Sequence, residues 1–261
     1  MNTVGRILLY AALLAILLIM VFPLIWMLLL SLTGNDGRFS LLNYSYIFSV
    51  NRFGLYLFNS MFVALIVTAG NLLFCLMCGY ALARRKVIGQ RFWFYSVMIV
   101  LMVPAHIVII PIYLLMTKCG LYDSYSALIL PWLVSPIGIF LVRQYVLTLP
   151  ESLEEAARID GAGEFAILFK IVMPLCRPAL AILAIQVFMA TWNNFLFPFI
   201  LTSSEQYRTL PVALALLLGY QSIDWHQLMA GSTVAVIPIL AIFLIFQRQI
   251  ISGITAGAFK Q

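Results

Sequence analysis

Six long apolar segments follow one another along the chain and decide what it can fold into. They cover residues 7–32, 55–83, 92–117, 124–148, 179–201 and 228–251. A helix needs about 20 apolar residues to cross the hydrocarbon of a bilayer, and each segment is long enough. Charged residues make up only 9% of the 261 residues, against about a quarter in soluble domains. The sequence therefore predicts an all-α, polytopic membrane protein with six transmembrane helices in a single domain, residues 1–261.

Basic residues are distributed unevenly between the predicted loops. With the N-terminus in the cytoplasm, eleven of the fifteen basic residues are cytoplasmic: Arg6, Arg84, Arg85, Lys86, Arg91, Arg143, Arg158, Lys170, Arg177, Arg248 and Lys260. The outer side holds the other four: Arg38, Arg52, Lys118 and Arg208. Cytoplasmic loops carry an excess of lysine and arginine, so we expect both termini in the cytoplasm. Anionic lipid headgroups of the bilayer account for the positive charge without a nucleic-acid partner.

One stretch of the chain is strongly charged. Seven charged side chains lie within it: Glu151, Glu154, Glu155, Arg158, Asp160, Glu164 and Lys170. Each would cost about 2.5–3.5 kcal/mol at the centre of a membrane. The stretch is therefore predicted to lie outside the hydrocarbon, in a cytoplasmic loop over residues 149–177.

A helix is predicted to begin inside this loop. Pro150 precedes Ser152-Leu153-Glu154-Glu155, which fits the capping box of a helix N-terminus. Four residues share one face at helical spacing: Leu153, Ala156, Ala157 and Asp160. The two alanines leave room for a close partner on that face. A docking helix and an amphipathic loop without a partner both fit this pattern.

The same loop contains a second predicted helix. Gly161 and Gly163 are expected to end the first helix and to permit a sharp turn. Residues 165–173 are nearly all apolar, and Pro174 is expected to end the helix that they form. Such a helix would lie against the inner ends of the spans.

The loop resembles the EAA loop of permease subunits in binding-protein-dependent ABC importers, written EAA-x(3)-G-x(9)-I-x-L-P. It contains Glu155-Ala156-Ala157, Gly161 after three residues, and Ile171-Val172-Met173-Pro174 after nine more. Met173 replaces the usual leucine, a change that conserves apolar volume. This resemblance favours the docking helix.

Further stretches are similar to the carbohydrate branch of this family, the subunits like the smaller maltose-type permease. They are ARIDGA (157–162), TWNNF (191–195), TLPVAL (209–214) and the tail GITAGAFKQ (253–261). The tail departs from the family at Gln261, where glycine is usual. An importer permease for amino acids, peptides or phosphate is the alternative that the EAA loop alone would allow.

The resemblance implies a type I importer-permease fold in a bacterial plasma membrane. It implies a pore shared with a second related permease, two cytoplasmic ATPase subunits beneath it, and an extracytoplasmic solute-binding protein that delivers a carbohydrate. It assigns coupling to the ATPase to five residues: Glu155, Ala156, Ala157, Asp160 and Gly161. It implies no catalytic residue, metal or cofactor in this chain. The sequence also lacks G-x-x-x-x-G-K-[ST], the loop that cradles ATP phosphates.

Four polar or amphipathic residues are candidates for the substrate pathway: Trp192, Asn193, Asn194 and Asn59. Amides and an indole suit sugar hydroxyls, and amides are unfavourable against lipid. Asparagines also join neighbouring helices in bundles that bind nothing, so packing between helices is the alternative.

Two other functional classes fit the residues less well. A secondary transporter usually carries an acidic residue inside a span, whereas the acids here fall in loops or at span ends. A membrane protease is disfavoured because the chain contains neither H-E-x-x-H nor G-x-S-x-G.

Overall fold

The computed structural model describes residues 3–34, 36–49, 52–85, 88–218 and 224–258, with side chains up to Gln247. These residues form helices joined by turns, with an isolated antiparallel bridge between Thr33 and Phe39. The helices are α1 (Thr3–Ser31), α2 (Leu42–Ser49), α3 (Phe53–Arg84), α4 (Gln90–Leu101), α5 (Ile109–Lys118), α6 (Tyr125–Ile129), α7 (Pro136–Val146), α8 (Ser152–Ile159), α9 (Glu164–Leu175), α10 (Arg177–Trp192), α11 (Leu196–Leu201), α12 (Leu210–Leu217) and α13 (Trp225–Ala258). Lys86 and the last three residues of the predicted tail, which include Lys260, lie outside the described residues.

Four stretches of helix are long and apolar enough to cross a membrane: Thr3–Ser31, Phe53–Arg84, Tyr125–Val146 and Trp225–Gln247. Two bent pairs, α4 with α5 and α9 with α10, also pass the test when each pair is taken together. The described chain thus has four helices that pass the test alone, and up to six spans if each bent pair is counted as one.

The third expected span, residues 92–117, is not one continuous helix. The chain bends by 94° between α4 and the helical segment Ala105–Lys118, which starts with a 3-10 turn over Ala105–Val108. The break occurs at Pro104. The proline ring disfavours helical geometry in the preceding residue, and proline has no N–H to donate to a helical hydrogen bond. Pro111 lies in the first turn of α5. A proline is tolerated there because the backbone N–H groups of a first turn have no partner within the helix.

The fifth expected span, residues 179–201, is also interrupted. Helix α10 ends at Trp192, and α11 begins at Leu196. The side-chain oxygen of Asn194 accepts a hydrogen bond from the Phe197 amide at 3.3 Å and so satisfies a donor in the first turn of the new helix. The sequence predicted polar residues here but not that a new helix begins beside them.

Helix α3 packs against α7 and α10 in the interior of the molecule. A Cβ added at Gly79 of α3 would lie 2.8 Å from the Val142 side chain of α7. A Cβ at Gly138 of α7 would lie 2.7 Å from the Cys75 sulfur of α3. Small residues let the two backbones approach closely, as is usual between membrane helices. The cytoplasmic loop of the sequence prediction is therefore attached to a tightly packed helix pair.

Candidate functional site

Helix α8 directs two neighbouring glutamates to opposite sides. Glu154 is buried, whereas Glu155 is exposed and forms no ion pair with any described residue. Successive residues of an α-helix point about 100° apart, so one glutamate meets the body of the protein and the next meets solvent. The helix thus has an inner charged face and an outer face.

The predicted capping box at Ser152 is not observed. Ser152 is the first helical residue, and Glu151 occupies the cap position with helical backbone angles and no capping side chain. The backbone carbonyl of Glu151 accepts hydrogen bonds from the Glu154 and Glu155 amides at 2.9 and 3.1 Å. The Glu151 carboxylate instead binds Arg84, so it is not free to cap the helix.

The exposed face of α8 differs from the predicted face, which comprised Leu153, Ala156, Ala157 and Asp160. Glu155, Ala156 and Asp160 are exposed, but Ala157 is half-buried and packs against the core. Ile159, which the sequence prediction omitted, has 86% of its surface exposed. Ile159 therefore belongs to the exposed face of α8, together with Glu155, Ala156 and Asp160. Helical spacing could have identified Ile159, because it lies one turn after Glu155 and next to Asp160.

Arg84 is the centre of the inner face. Its Nε donates to Glu154 Oε1 at 3.0 Å, and its Nη1 donates to Glu151 Oε1 at 2.7 Å. Its Nη2 donates to the backbone carbonyls of Val146, at 2.9 Å, and Leu149. Only 6% of the Arg84 side chain and 5% of the Glu154 side chain are exposed. Removal of one partner from such a buried pair typically costs about 3–5 kcal/mol.

Other charged groups surround this pair. Tyr80 donates to Glu154 Oε2 at 3.0 Å, and Arg158 donates to the same oxygen at 3.4 Å. Arg85 forms an ion pair with Glu164 and also donates to the Tyr80 hydroxyl at 2.8 Å. Three arginines and three glutamates therefore meet at the end of α3: Arg84, Arg85, Arg158, Glu151, Glu154 and Glu164. Sequence analysis missed this network because its two halves are far apart in the chain. Arg84 and Glu154, for example, are separated by 70 residues.

Gly161 ends α8 as predicted. Its φ is +80°, and its amide donates to the Arg158 carbonyl at 3.0 Å while the Ala162 amide donates to the Ala157 carbonyl at 2.9 Å. These two bonds form a Schellman motif, whose left-handed residue is usually glycine. Gly163 has φ of −73° and extended geometry, so the prediction that it also supplies the turn is wrong.

Helix α9 returns the chain to the membrane body. Ile167, Leu168 and Val172 are buried, in agreement with a helix lying against the spans. Its middle, Ile167–Val172, is a π-helix, and the helix runs to Leu175 rather than ending at Pro174. Pro174 lies in the first turn after the π-helix, where its missing N–H removes no essential bond. The chain then bends by 80° into α10.

The four candidate pathway residues do not form one site, although Trp192 and Asn193 line the same cavity. Trp192 is buried and donates to the Ala235 carbonyl at 3.2 Å, while Asn194 accepts a hydrogen bond from the first turn of α11. Asn193 is exposed and lines a cavity of about 270 Å³ together with Ser232 of α13. Its Nδ2 donates to the Met189 carbonyl at 2.9 Å, so its side-chain oxygen and one N–H face the cavity without a bond to a described residue.

Asn59 joins α3 to the loop that contains Gln206 and Arg208. Its side chain is fully buried and donates to the Gln206 and Arg208 carbonyls, both at 2.9 Å. Its oxygen accepts a hydrogen bond from the Tyr125 hydroxyl at 2.6 Å. Both N–H groups of the amide are used, which favours the packing alternative for this residue.

Asp123 holds the other side of the same loop. It accepts hydrogen bonds from the Ser203 amide at 2.8 Å, the Ser204 amide at 2.9 Å and the Ser204 hydroxyl. Burial acts to raise the pKa of Asp123, but the bonds from Ser204 and Ser203 outweigh it and hold the pKa below its ordinary value. Because the folded-state pKa is the lower one, this stabilisation is present at neutral pH. It is lost as pH falls below the unfolded value of about 3.9 and through the folded-state pKa.

Asp123→Asn is expected to lower the Tm of the purified protein by about 2–4 °C at pH 7, since about 1 kcal/mol of charge-assisted bonding is lost. Asparagine tolerates the positive φ of 56° at this position, so the backbone is unchanged. Thermal unfolding in detergent from pH 3 to pH 7 measures the effect, and the difference from wild type should shrink as the pH falls below the unfolded-state pKa. Asp36→Asn is the matched control, because Asp36 accepts one local bond from the Arg38 amide. A pH-independent difference at Asp123 would contradict the role of its charge.

Among the described residues, no three His, Cys, Asp or Glu side chains come together in a way that could hold a metal ion. The described residues instead form an exposed face on α8, a buried ionic network around Arg84 and Glu154, and closely packed helices α3 and α7.

Comparisons with known proteins agree on one family. Residues 75–255 match the family described as binding-protein-dependent transport system inner membrane component. The arabinooligosaccharides transport system permease protein of Halalkalibacterium halodurans is 42% identical over 88% of this chain and 83% of its own length. The trehalose/maltose transport system permease protein of Thermococcus litoralis is 33% identical over 98% of this chain and 97% of its own. A chain in the crystal structure of a bacterial ABC transporter that imports alginate superposes with a TM-score of 0.83, at 24% identity, over 95% of this chain and 98% of that one.

Proposed function

The chain belongs to the family of inner membrane components of binding-protein-dependent transport systems, and from this premise we propose that it is half of a carbohydrate uptake pore. The fold, with its several apolar helices, is that of a multi-pass permease in a bacterial plasma membrane. The observation that carries the choice of solute is the 42% identity to an arabinooligosaccharide permease along most of both chains. Identity to a trehalose/maltose permease supports the same solute class.

The partners follow from the type of system. A solute-binding protein delivers the carbohydrate on the outer side, and the family description, which names binding-protein-dependent transport, supports such a partner. A second related permease completes the pore, and two cytoplasmic ATPase subunits supply the energy. The sequence has no phosphate-binding loop of the G-x-x-x-x-G-K-[ST] type, which supports placing ATP hydrolysis in another polypeptide. Both termini lie in the cytoplasm in this arrangement.

The outer face of α8 is the contact with one ATPase subunit. Glu155 and Asp160, which form no ion pair with a described residue, offer charge to a basic residue of that subunit, and Ile159 offers an apolar anchor between them. Ala156 is small enough to permit close approach. Gly161 holds the turn behind the helix, and Ala157 packs the helix against the spans.

Deletion of this gene is expected to abolish uptake of radiolabelled arabinotriose by intact cells, and a plasmid copy should restore it. Maltotriose, a labelled dipeptide and inorganic phosphate serve as comparison solutes. Loss of dipeptide or phosphate uptake with sugar uptake intact would contradict the carbohydrate assignment and favour the other importer branch. If deletion leaves the uptake of every tested solute unchanged in a strain that normally expresses the gene, the transport function is contradicted.

A further inference from the structure

Arg84 occupies the corner where three helices meet. It is the last residue of α3, its Nη2 reaches carbonyls at the end of α7 and just beyond, and its Nε and Nη1 bind glutamates at the start of α8. Carbonyls at a helix C-terminus have no partner within the helix and attract a cation. Carboxylates are in turn favoured at a helix N-terminus. One guanidinium therefore satisfies the end of α7 and the beginning of α8 together.

The rest of α8 has few other anchors. Glu155, Ala156, Ile159 and Asp160 are exposed, and only Glu154 among the α8 side chains is fully buried. Tyr80, one turn before Arg84, binds the second oxygen of Glu154 at 3.0 Å. The direction of α8 relative to α3 is thus fixed by a carboxylate held from two sides by α3. A force applied to the outer face of α8 passes into α3 and α7 through these bonds.

Resting on the proposed function, we infer that Arg84 and Glu154 are positioning residues that make α8 move as one body with α3 and α7, so that ATPase closure is converted into opening of the pore. They do not touch the ATPase or the solute. They act by preventing α8 from pivoting on the turn at Gly161 when the ATPase pulls it.

Arg84→Lys tests the geometry rather than the charge. A guanidinium presents five N–H groups in a planar fork, whereas an ammonium is a compact charge with three, so lysine cannot keep both carboxylates and both carbonyls. Arg91→Lys is the matched control, because Arg91 is exposed on α4 near the same side and forms no ion pair within the described part of the chain. Glu154→Gln is a second variant, which keeps the side-chain volume and removes the charge opposite Arg84.

The complex with its ATPase, partner permease and binding protein is reconstituted in proteoliposomes. Arabinotriose uptake is divided by ATP hydrolysed, so that differences in yield cancel. We expect Arg84→Lys and Glu154→Gln to retain ATPase subunits and ATP hydrolysis but to lower uptake per ATP about tenfold, with Arg91→Lys unchanged. Hydrogen exchange of the amides in residues 153–160 should accelerate about tenfold in both variants and not in the control.

The outcomes separate this role from simple stability and from failure of the proposed function. Uptake per ATP equal to wild type in both variants would overturn the positioning role, as would unchanged exchange in α8. A loss of uptake that merely follows the amount of assembled complex would overturn it too. Absence of sugar uptake by the wild-type complex would overturn the proposed function alone, because the exchange measurement on the purified chain is independent of transport.

Discussion

Glu155→Lys is expected to abolish sugar uptake while the chain remains folded in the membrane. Glu155 lies on the outer face of α8 and bonds to no charged group in the described chain, so its replacement removes no internal contact. Exposed substitutions of this kind change stability by about 0.5 kcal/mol or less. Loss of one partner of a buried charge pair in an interface costs about 2–5 kcal/mol, and charge reversal adds repulsion. Uptake should therefore fall by at least about thirtyfold.

The decisive measurement is the amount of ATPase subunit that co-purifies with the variant, taken together with uptake. Gln144→Lys is the control. Gln144 is exposed near the C-terminal end of α7, the end that leads into α8, and its replacement also adds a positive charge. We expect the control to retain ATPase subunits and uptake. Wild-type uptake by Glu155→Lys, with a full complement of ATPase subunits, would contradict docking through this face.

Gly161→Val is the second large effect, and its cause is the backbone. No atom lies within 4 Å of a Cβ added at Gly161, so crowding plays no part, but φ is +80°. The left-handed conformation costs an L-residue about 1–2 kcal/mol, and a β-branched residue is especially disfavoured there. A cost of about 2 kcal/mol shifts the equilibrium between docked and displaced α8 by about thirtyfold. Uptake in proteoliposomes should fall accordingly, with the variant still present in the membrane.

Gly163→Val is a closely matched control, two residues away. A Cβ at Gly163 also meets no atom within 4 Å, but its backbone is extended, with φ of −73° and ψ of 164°. Any residue adopts that conformation, so uptake should stay near wild type. Gly161→Asn is a second comparison, because asparagine visits left-handed geometry more readily than valine. If valine is tolerated equally at both positions, the turn at Gly161 is not required for coupling.

The distribution of apolar and charged residues along the chain predicted the membrane fold and the exposed loop. Apolar segments as long as a bilayer is thick have few folding solutions, because every backbone polar group in the hydrocarbon must be bonded within a helix. The spacing of Glu155, Gly161 and Pro174 in the EAA motif then indicated the family. The left-handed turn at Gly161 was predictable because it depends on one residue and its neighbours.

Predictions that needed a three-dimensional neighbour were less successful. The capping box at Ser152 is not formed because Ser152 is itself the first helical residue and Glu151 occupies the cap position, where its carboxylate binds the distant Arg84. The outer face of α8 was misjudged at Ala157 because spacing shows which residues share a face but not which face meets the core. The bend at Pro104 was not predicted. A proline in an apolar segment can be accommodated in a spanning helix or can break it, and the outcome depends on the neighbouring helices.

The sequence by itself therefore determined that this chain crosses a membrane and carries one charged helix outside it, since burial of charge in hydrocarbon is too costly for any alternative. Only the tertiary structure decided which of two adjacent glutamates faces outward and which one binds Arg84. That choice depends on where the ends of α3 and α7 come together in space, and long-range packing sets this position independently of the local sequence of α8.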